Sequence, residues 1–340
     1  MDDLAVSVII PTRNRSRSVV RTVEAVWAQT FAGALELVLI DNASTDETPA
    51  VLSELVGKSP VPARLIRVQD DQGPANARNV GIRAAKGRIL VFYDSDVIPN
   101  PQWIQTAVDH LASHPQIGIL GGMLAYASRP DLCNIYGGEL TPLCLAWDGF
   151  IAVPVSDVPE QFDCLWTPTA AVAVRREVFD TIGELDRTFY YSFEDADLGW
   201  RARLAGFECV CRSELVALHD SLPALRPAGK VIVFHQSKNR LRMMLKCYSL
   251  GNLVRYLPVL LPYSLAEAFL RPQPLSRFKA LGWNLVHLLD TLRERKAVQA
   301  KRKLSDAQLA HLFTRNWLPQ QTLKARRESE AEIVLGGKRG

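Results

Sequence analysis

Apolar positions near the start of the chain fall into short runs separated by stretches of helical periodicity. Val6–Ile10, Leu35–Ile40, Arg64–Val68 and Ile89–Tyr93 read as strands, the last apolar on both faces. That pattern belongs to a parallel sheet buried between helices. Pro11 closes the first run. Val19, Val20, Val23, Val26 and Trp27 then recur at helical spacing, with Ser16 or Ser18 as the N-cap. Ser44 and Glu47 form a capping-box pattern for a helix through about Val56. Gly73-Pro74 opens a helix to about Lys86, with Pro in the first turn and Gly87 at the end. Strand and helix alternate throughout, which predicts a sheet covered by helices on both faces.

Beyond Asp96 the pattern predicts a helix over Trp103–Ser113 and a strand over Ile117–Tyr126, interrupted by Gly121-Gly122. Residues 128–165 carry few periodic signals. A strand over Ala170–Val174, a helix over Arg176–Ile182 and a helix over Phe193–Ala205 follow. A strand from Phe207 to Leu218 runs into His219-Asp220, and past about residue 228 the pattern is helical and increasingly basic.

Charge changes the picture at the carboxyl end. Residues 1–270 hold 25 Lys and Arg against 30 Asp and Glu, whereas residues 271–340 hold 15 against 6. A basic tail on a mildly acidic body points to an anionic surface. Leu253–Leu270 is apolar but broken by Arg255, Pro258, Pro262 and Glu267, too interrupted for a transmembrane helix. Phe278, Leu281, Trp283, Leu285, Val286, Leu288 and Leu289 precede Arg293, Arg295, Lys296, Lys301, Arg302 and Lys303. This composition fits either an interfacial helix on an anionic bilayer or a helical subdomain packed on the core with a solvated basic face. The cations lack interleaved base-stacking aromatics, so nucleic acid is not an expected partner. Met1-Asp2-Asp3 offers no basic n-region, and no secretory signal is expected. The six cysteines lack zinc-ribbon spacing, which suits reduced thiols in the cytoplasm.

The candidate chemistry sits where strands end. Ile89–Tyr93 delivers Asp94 and Asp96 to its carboxyl end, where open α/β sheets bind ligands. Two carboxylates one residue apart suit a hard divalent cation that shares a diphosphate. No Gly-x-Gly-x-x-Gly follows the first strand and no Gly-x-x-x-x-Gly-Lys-Ser/Thr occurs, which disfavours dinucleotide and P-loop chemistry. Asp41, at the end of the second strand, is placed to accept from a base or ribose, and Arg78 to reach a phosphate.

Five ordered segments carry a resemblance: Val8–Arg15, Leu39–Ser44, Ala77–Gly81, Asp94–Asp96 and Phe193–Arg201. Together they resemble the motifs of family 2 glycosyltransferases over roughly residues 5–245. The resemblance implies a GT-A fold, α/β with a mixed sheet flanked by helices, and inverting transfer from a nucleotide-diphosphate sugar. It places Pro11, Thr12 and Arg13 in the nucleotide pocket, Asp41 on the base and Arg78 beside the diphosphate. Asp94 falls near the ribose or sugar, and Asp96 on Mn²⁺ or Mg²⁺. Asp195 becomes the general base. His219 either completes the metal site or is a satisfied strand-end histidine, and Trp166 and Trp200 suit core packing better than sugar stacking. The expected division is 1–228 catalytic, with 1–96 for the donor and 97–228 for the acceptor, then 229–323 helical and 324–340 disordered. A glycan or lipid-linked acceptor at the inner membrane face is expected. A nucleotide-sugar-binding protein without turnover and a sugar nucleotidyltransferase are the rivals. Three departures fall on the acceptor side: Phe193 where relatives commonly have Gly, Glu184-Leu185-Asp186 for Gly-Phe-Asp, and Thr167–Ala171 for a Gly-Asn loop.

Overall fold

A computed structural model describes residues 5–220 and 229–314. The expected tail at 324–340, and residues 315–323 before it, lie outside the described residues.

The amino-terminal half alternates as its pattern predicts. Strands β1 (Val6–Thr12), β2 (Leu35–Asn42), β3 (Ala63–Val68) and β4 (Ile89–Tyr93) enclose helices α1 (Ser18–Trp27), α2 (Thr48–Lys58) and α3 (Gly73–Ala84). β5 (Val97–Pro99), α4 (Trp103–Ser113), β6 (Ile117–Tyr126) and β7 (Arg129–Ile135) follow. The stretch with few periodic signals folds into short strands β8 (Gly138–Leu140), β9 (Ala146–Asp148) and β10 (Gln161–Asp163). β11 (Ala171–Arg175), α5 (Arg176–Ile182), α6 (Glu194–Leu204) and β12 (Glu208–His219) complete the sheet. Its order is β10-β12-β6-β11-β4-β1-β2-β3, with β5 on β12 and β7 on β6.

One strand decides where the ligands go. β3, β2, β1 and β4 are parallel, β11 runs antiparallel between β4 and β6, and β12 is parallel to β6. A single reversal between two parallel groups leaves all their carboxyl ends on one edge. Thr12, Asn42, Asp94 and His219 therefore share that edge although more than two hundred positions separate the first from the last. β5 pairs antiparallel to β12 with Val97 opposite His219, which sets Asp96 beside the histidine.

The period-two alternation sorts the core. Val6, Val8, Ile10, Val91 and Tyr93 face α1, α2 and α4, whereas Ile9, Val38, Ile40, Leu90 and Phe92 face α3, α5 and α6. Several local expectations fail for identifiable reasons. Pro11 lies inside β1, not after it, because β4 has already left that flank at Ile9 and no ladder bond is lost there. Neither Ser16 nor Ser18 caps α1; its N-cap is Arg17, without a side-chain bond. Ser44 does not cap α2, which starts at Thr48; its hydroxyl instead accepts from the Asn14 amide at 3.0 Å. β6 runs unbroken through its glycines, since a Cβ on Gly121 would lie 2.1 Å from Thr167 Oγ1.

Past residue 229 the chain forms α7 (Lys230–Cys247), α8 (Leu250–Leu270), α9 (Pro274–Val286) and α10 (Leu288–Ala300). α8 continues through Pro258 and Pro262 and, among the described residues, is the one helix long and apolar enough to cross a membrane; 33% of that span is buried. Four cations of α7, Lys238, Arg240, Arg242 and Lys246, are buried. Lys246 Nζ lies 2.7 Å from both Asp186 Oδ2 and Asp197 Oδ1, and Arg242 Nε is 2.9 Å from the same Asp186 oxygen. Asp197 also holds Arg201 at 2.7 Å, and Arg201 donates to the carbonyls of Ile182 and Glu184. Two of the six basic residues expected on a solvated or lipid-facing flank are spent at the end of α7. Arg295 donates to the Leu245 and Tyr248 carbonyls, and Arg302 to that of Cys247. They satisfy carbonyls a helix leaves open and complement its dipole.

Candidate functional site

A cleft of about 740 Å³ opens along the carboxyl edge of the sheet, a size suited to a nucleotide-sized ligand. One wall is built from strand ends: Pro11, Thr12, Arg13 and Arg15 after β1, Asn42 after β2, Asp71 before α3, Arg78 on α3, and Asp94 to Asp96 after β4. The other carries Asn134, Trp147, Asp148 and the turn from Tyr190 to Asp195 that enters α6.

On the first wall every acid has a partner. Arg78 Nη2 donates to Asp94 Oδ1 at 2.6 Å, and Nη1 lies 3.5 Å from Glu194 Oε1. Arg78 is only 3% exposed and ties the end of β4 to the start of α6. Asp71 accepts from Asn42, Tyr190 and the Gly73 amide and pairs with Arg13. Gly73 has φ +82°, and a Cβ there would lie 2.4 Å from the Tyr190 carbonyl, so the loop can close on α3 only at a glycine.

Asp96 Oδ1 lies 3.5 Å from His219 Nε2, and Oδ2 lies 3.9 Å from Arg15. Burial pushes the Asp96 carboxyl up, but the His219 bond and charge, with Arg15, bring it below the usual carboxylate range. Burial likewise pulls the imidazole down, and Asp96 outweighs it, so His219 holds its proton above the ordinary histidine value. His219 Nδ1 sits 2.7 Å from Asn134 Oδ1. That contact assigns Nδ1–H as the donor and turns Nε2 toward Asp96. A carboxylate and an imidazole nitrogen aimed at one point fit Mn²⁺ or Mg²⁺. Among the described residues no three His, Cys, Asp or Glu side chains converge on such a point. Two such side chains suffice to hold these ions, which commonly take their remaining ligands from substrate oxygens and water.

The second wall is set by strain. Ser192 and Phe193 have φ of 63° and 72°, and Phe193 is the N-cap of α6. A left-handed conformation costs a residue with a Cβ about 1–2 kcal/mol, which explains why glycine is common at this position. Here the turn is clamped by α7, where Asn239 Nδ2 donates to the Tyr191 carbonyl at 3.0 Å and the Ser192 carbonyl at 2.7 Å. Lys238 Nζ donates to Thr188 of the same loop. The clamped turn presents Asp195 to the cleft. Burial pushes the Asp195 carboxyl well above the usual range, reinforced by the nearby Glu194 and Asp148 charges. Such a carboxylate is a strong proton acceptor once ionised.

Of the residues singled out in the sequence, Pro11, Thr12, Arg13, Arg78, Asp94, Asp96 and Asp195 line the cleft. His219 stands behind Asp96. Asp41 is set back from the wall, 4% exposed, and accepts the Ser44 amide at 3.1 Å; its neighbour Asn42 faces the cleft. Trp166 and Trp200 are core residues, the latter edge-on to Tyr248 and Phe313. Sequence reasoning missed Asp71, Asn134, Trp147 and Asp148. The last three belong to the stretch without periodicity, where only folding brings side chains to the site. Thr12 Oγ1, Arg78 Nε, Glu194 Oε2 and Trp147 Nε1 are buried on these walls without a hydrogen-bond partner among the described residues. Buried polar atoms rarely stay unpaired, and here a ligand is the natural partner.

Residues 7–137 match the family described as glycosyl transferase family 2. That segment of the chain is similar to glycosyl transferase family 2. A curated relative, O-antigen biosynthesis protein RfbC of Myxococcus xanthus, is 28% identical over 231 residues, 65% of this chain. The chain spans only 18% of RfbC's length. Among solved structures, GalNAc-T7 with UDP, GalNAc and Mn²⁺ superposes with TM-score 0.62 at 16% identity, covering 85% of this chain and 57% of that one. The mannosyltransferase PcManGT from Pyrobaculum calidifontis, with GDP-Man and Mn²⁺, gives TM-score 0.53 at 19% identity and covers 99% and 91%. The chain thus has the GT-A fold of these neighbours, with the mixed sheet expected from its motifs.

The raised Asp195 carboxyl has a consequence for stability. An acid whose folded value exceeds its unfolded value near 4 costs stability as pH rises through the window between the two. Asp195→Asn should therefore melt close to wild type at pH 4 and above it at pH 8. Equal melting temperatures across that range would place Asp195 in an ordinary solvated setting.

Proposed function

We propose that the chain is an inverting glycosyltransferase that moves a sugar from a nucleotide-diphosphate donor to a hydroxyl acceptor. The observation that carries this reading is the division of charge across the cleft. Asp96, backed by His219, and three arginines line the strand-end wall, and Asp195 stands on the opposite wall. The similarity to RfbC, an O-antigen biosynthesis protein, supports a surface polysaccharide or its lipid-linked precursor as acceptor. The UDP and GDP-Man ligands of the structural neighbours support a nucleotide-diphosphate sugar as donor, and we assign residues 1–96 to the donor and 97–228 to the acceptor.

Asp96 and His219 would hold Mn²⁺ or Mg²⁺, which when bound supplies positive charge for the departing diphosphate. Pro11, Thr12, Arg13, Asn42 and Asp71 would enclose the nucleoside, with Asp41 behind them as a fixed turn. Arg78 keeps Asp94 and Glu194 in place beneath the sugar. Asp195 takes the proton of the acceptor hydroxyl as its oxygen bonds to the anomeric carbon. The bond from that carbon to the phosphate oxygen breaks with its electron pair, and the nucleoside diphosphate leaves from the opposite face.

The helices at the carboxyl end support a site at the cytoplasmic face of a membrane. Phe269 and Leu270 on α8, Leu275 and Leu285 on α9 and Leu289 on α10 are each more than 70% exposed. Phe269 packs edge-on against Phe278, which joins α8 and α9 into one apolar face. Arg255, Lys279, Arg293 and Lys296 are exposed on the same helices, and Arg271 just past the end of α8. An apolar face with cations around it suits an anionic bilayer.

Two measurements test the proposal. In a thermal-shift panel of UDP, GDP, dTDP and CMP with Mn²⁺, Mg²⁺ or chelator, one nucleotide should stabilise the protein only with metal. Asp96→Asn should abolish that shift. Asp195→Asn should keep it while losing at least about 10²-fold in sugar transfer. Full transfer by that variant, or pyrophosphate release from a nucleoside triphosphate and a sugar 1-phosphate, would defeat the reading. For the membrane face, Phe269→Asp with Leu270→Asp should abolish sedimentation with phosphatidylglycerol vesicles and leave the nucleotide shift unchanged. Removal of α8 to α10 is no substitute, because α10 caps α7. Wild type that ignores the vesicles refutes the contact.

A further inference from the structure

Residues 185–193 lead from α5 to α6 and end on the turn that presents Asp195. They are pinned from two sides. On the α3 side, Asn79 Nδ2 donates to the Leu185 carbonyl at 2.8 Å and Asn79 Oδ1 accepts the Leu185 amide at 3.0 Å. Asn76 Nδ2 donates to the Arg187 carbonyl at 2.9 Å. On the α7 side, Arg242 and Lys246 hold Asp186, Lys238 holds the Thr188 carbonyl, and Asn239 holds the carbonyls of Tyr191 and Ser192. Tyr190, between these anchors, reaches a third place. Its hydroxyl donates to Asp71 Oδ2, and its ring stacks on His235 of α7 with centroids 5.1 Å apart. Its carbonyl is the atom that a Cβ on Gly73 would meet, so backbone and side chain both rest on the loop before α3.

Asp71 belongs to the strand-end wall. Besides Tyr190 it accepts Asn42 Nδ2 at 2.9 Å and the Gly73 amide at 3.0 Å, and it pairs with Arg13. The Arg13 side chain is 40% exposed and lines the same cleft. One carboxylate is therefore shared between a cation open to the cleft and a phenol two positions ahead of Ser192. The sharing is competitive. An anion that engages Arg13 draws its positive charge off Asp71, and the carboxylate then bonds the phenol O–H more strongly, since bonds to an ionised acceptor strengthen with its uncompensated charge. The turn beyond has reason to respond. Ser192 and Phe193 hold φ of 63° and 72°, a conformation that persists only while its surroundings impose it.

We propose that Tyr190 is a positioning residue that couples the nucleotide end of the cleft to Asp195: a phosphate on Arg13 leaves the Asp71 carboxylate to Tyr190, which fixes the Ser192-Phe193 turn and the first turn of α6. The inference rests on the glycosyltransferase reading for the identity of the anion. Coupling of this kind is reciprocal, so a turn held in place binds the nucleotide more tightly by the same factor.

Hydrogen–deuterium exchange on the full chain tests it, with saturating UDP or GDP, each with Mn²⁺. In wild type the nucleotide should slow exchange of the backbone amides of residues 187–195 by about fivefold or more. Tyr190→Phe keeps the ring on His235 and removes the bond to Asp71. It should bind the same nucleotide and lose that slowing. Asp71→Asn, which weakens the bond from its other end, should lose it as well, and the double variant should lose no more than either, as expected of two groups in one interaction. In sugar transfer Tyr190→Phe should lower kcat about tenfold and leave KM for the donor within about twofold, the split of a group that acts through the aim of Asp195. Wild-type amides indifferent to nucleotide, a Tyr190→Phe protein slowed as much as wild type, or an unchanged kcat overturns the coupling. The melting shift of the same samples separates the two readings. A metal-dependent shift without slower exchange at 187–195 removes the coupling and leaves the transferase standing, whereas no shift with any nucleotide removes both.

Discussion

A single buried ammonium group holds the two halves of the molecule in register. Lys246, on α7, is 1% exposed and lies between Asp186, in the loop before the Ser192-Phe193 turn, and Asp197, on α6. Both carboxylates are themselves almost fully buried, and each carries a second cation. Burial pushes the Asp186 carboxyl up, yet Lys246 and Arg242 outweigh it and hold it far below the usual range. Breaking such an arrangement from one side is costly, about 3–5 kcal/mol, because the remaining charge is stranded. Its worth is therefore positional. α6 cannot rotate or slide without separating Asp197 from Lys246, and Asp195 rides on the first turn of α6. The same α7 clamps the strained turn through Asn239. The helices after residue 229 are thus part of the apparatus that aims Asp195.

How much of this was legible in the sequence follows from the range of the forces involved. The strand Ile89–Tyr93 and the helix Trp103–Ser113 came out at the residues where they occur, since periodic burial is written locally. Strand ends with Asp94, Asp96 and His219 were legible for the same reason. Caps failed where a side chain found a more distant partner, as Ser44 did with Asn14. Phe193 stood out as a departure from glycine, and its φ of 72° gives the reason glycine is usual there. What permits phenylalanine is a hydrogen bond from Asn239, 46 positions along the chain, which no local pattern encodes. Trp147 and Asp148 were invisible because three-residue strands have no periodicity to read. The basic tail was misjudged in part, since charge counts do not tell a cation that caps a helix from one that faces solvent.

Electrostatics organises the cleft more than shape does. Its arginines stand at the strand ends, and Asp195, whose carboxyl burial holds above the usual range, stands at the α6 end. The mixed sheet makes this possible: one antiparallel strand, β11, lets the end of β12 bring His219 to Asp96 on the edge that already carries Thr12 and Asn42. The apolar face of α8 and α9 belongs to the same helical layer that is locked to α6. Seating that face on a bilayer would fix the direction in which the cleft opens.

The most direct measurement is pulsed electron paramagnetic resonance of Mn²⁺ added to the full chain with a nucleoside diphosphate. The account predicts a phosphorus hyperfine coupling from the diphosphate together with an imidazole nitrogen coupling that disappears in His219→Ala. A spectrum matching Mn²⁺ with the nucleotide free in solution, with neither protein nitrogen nor dependence on His219, would contradict it.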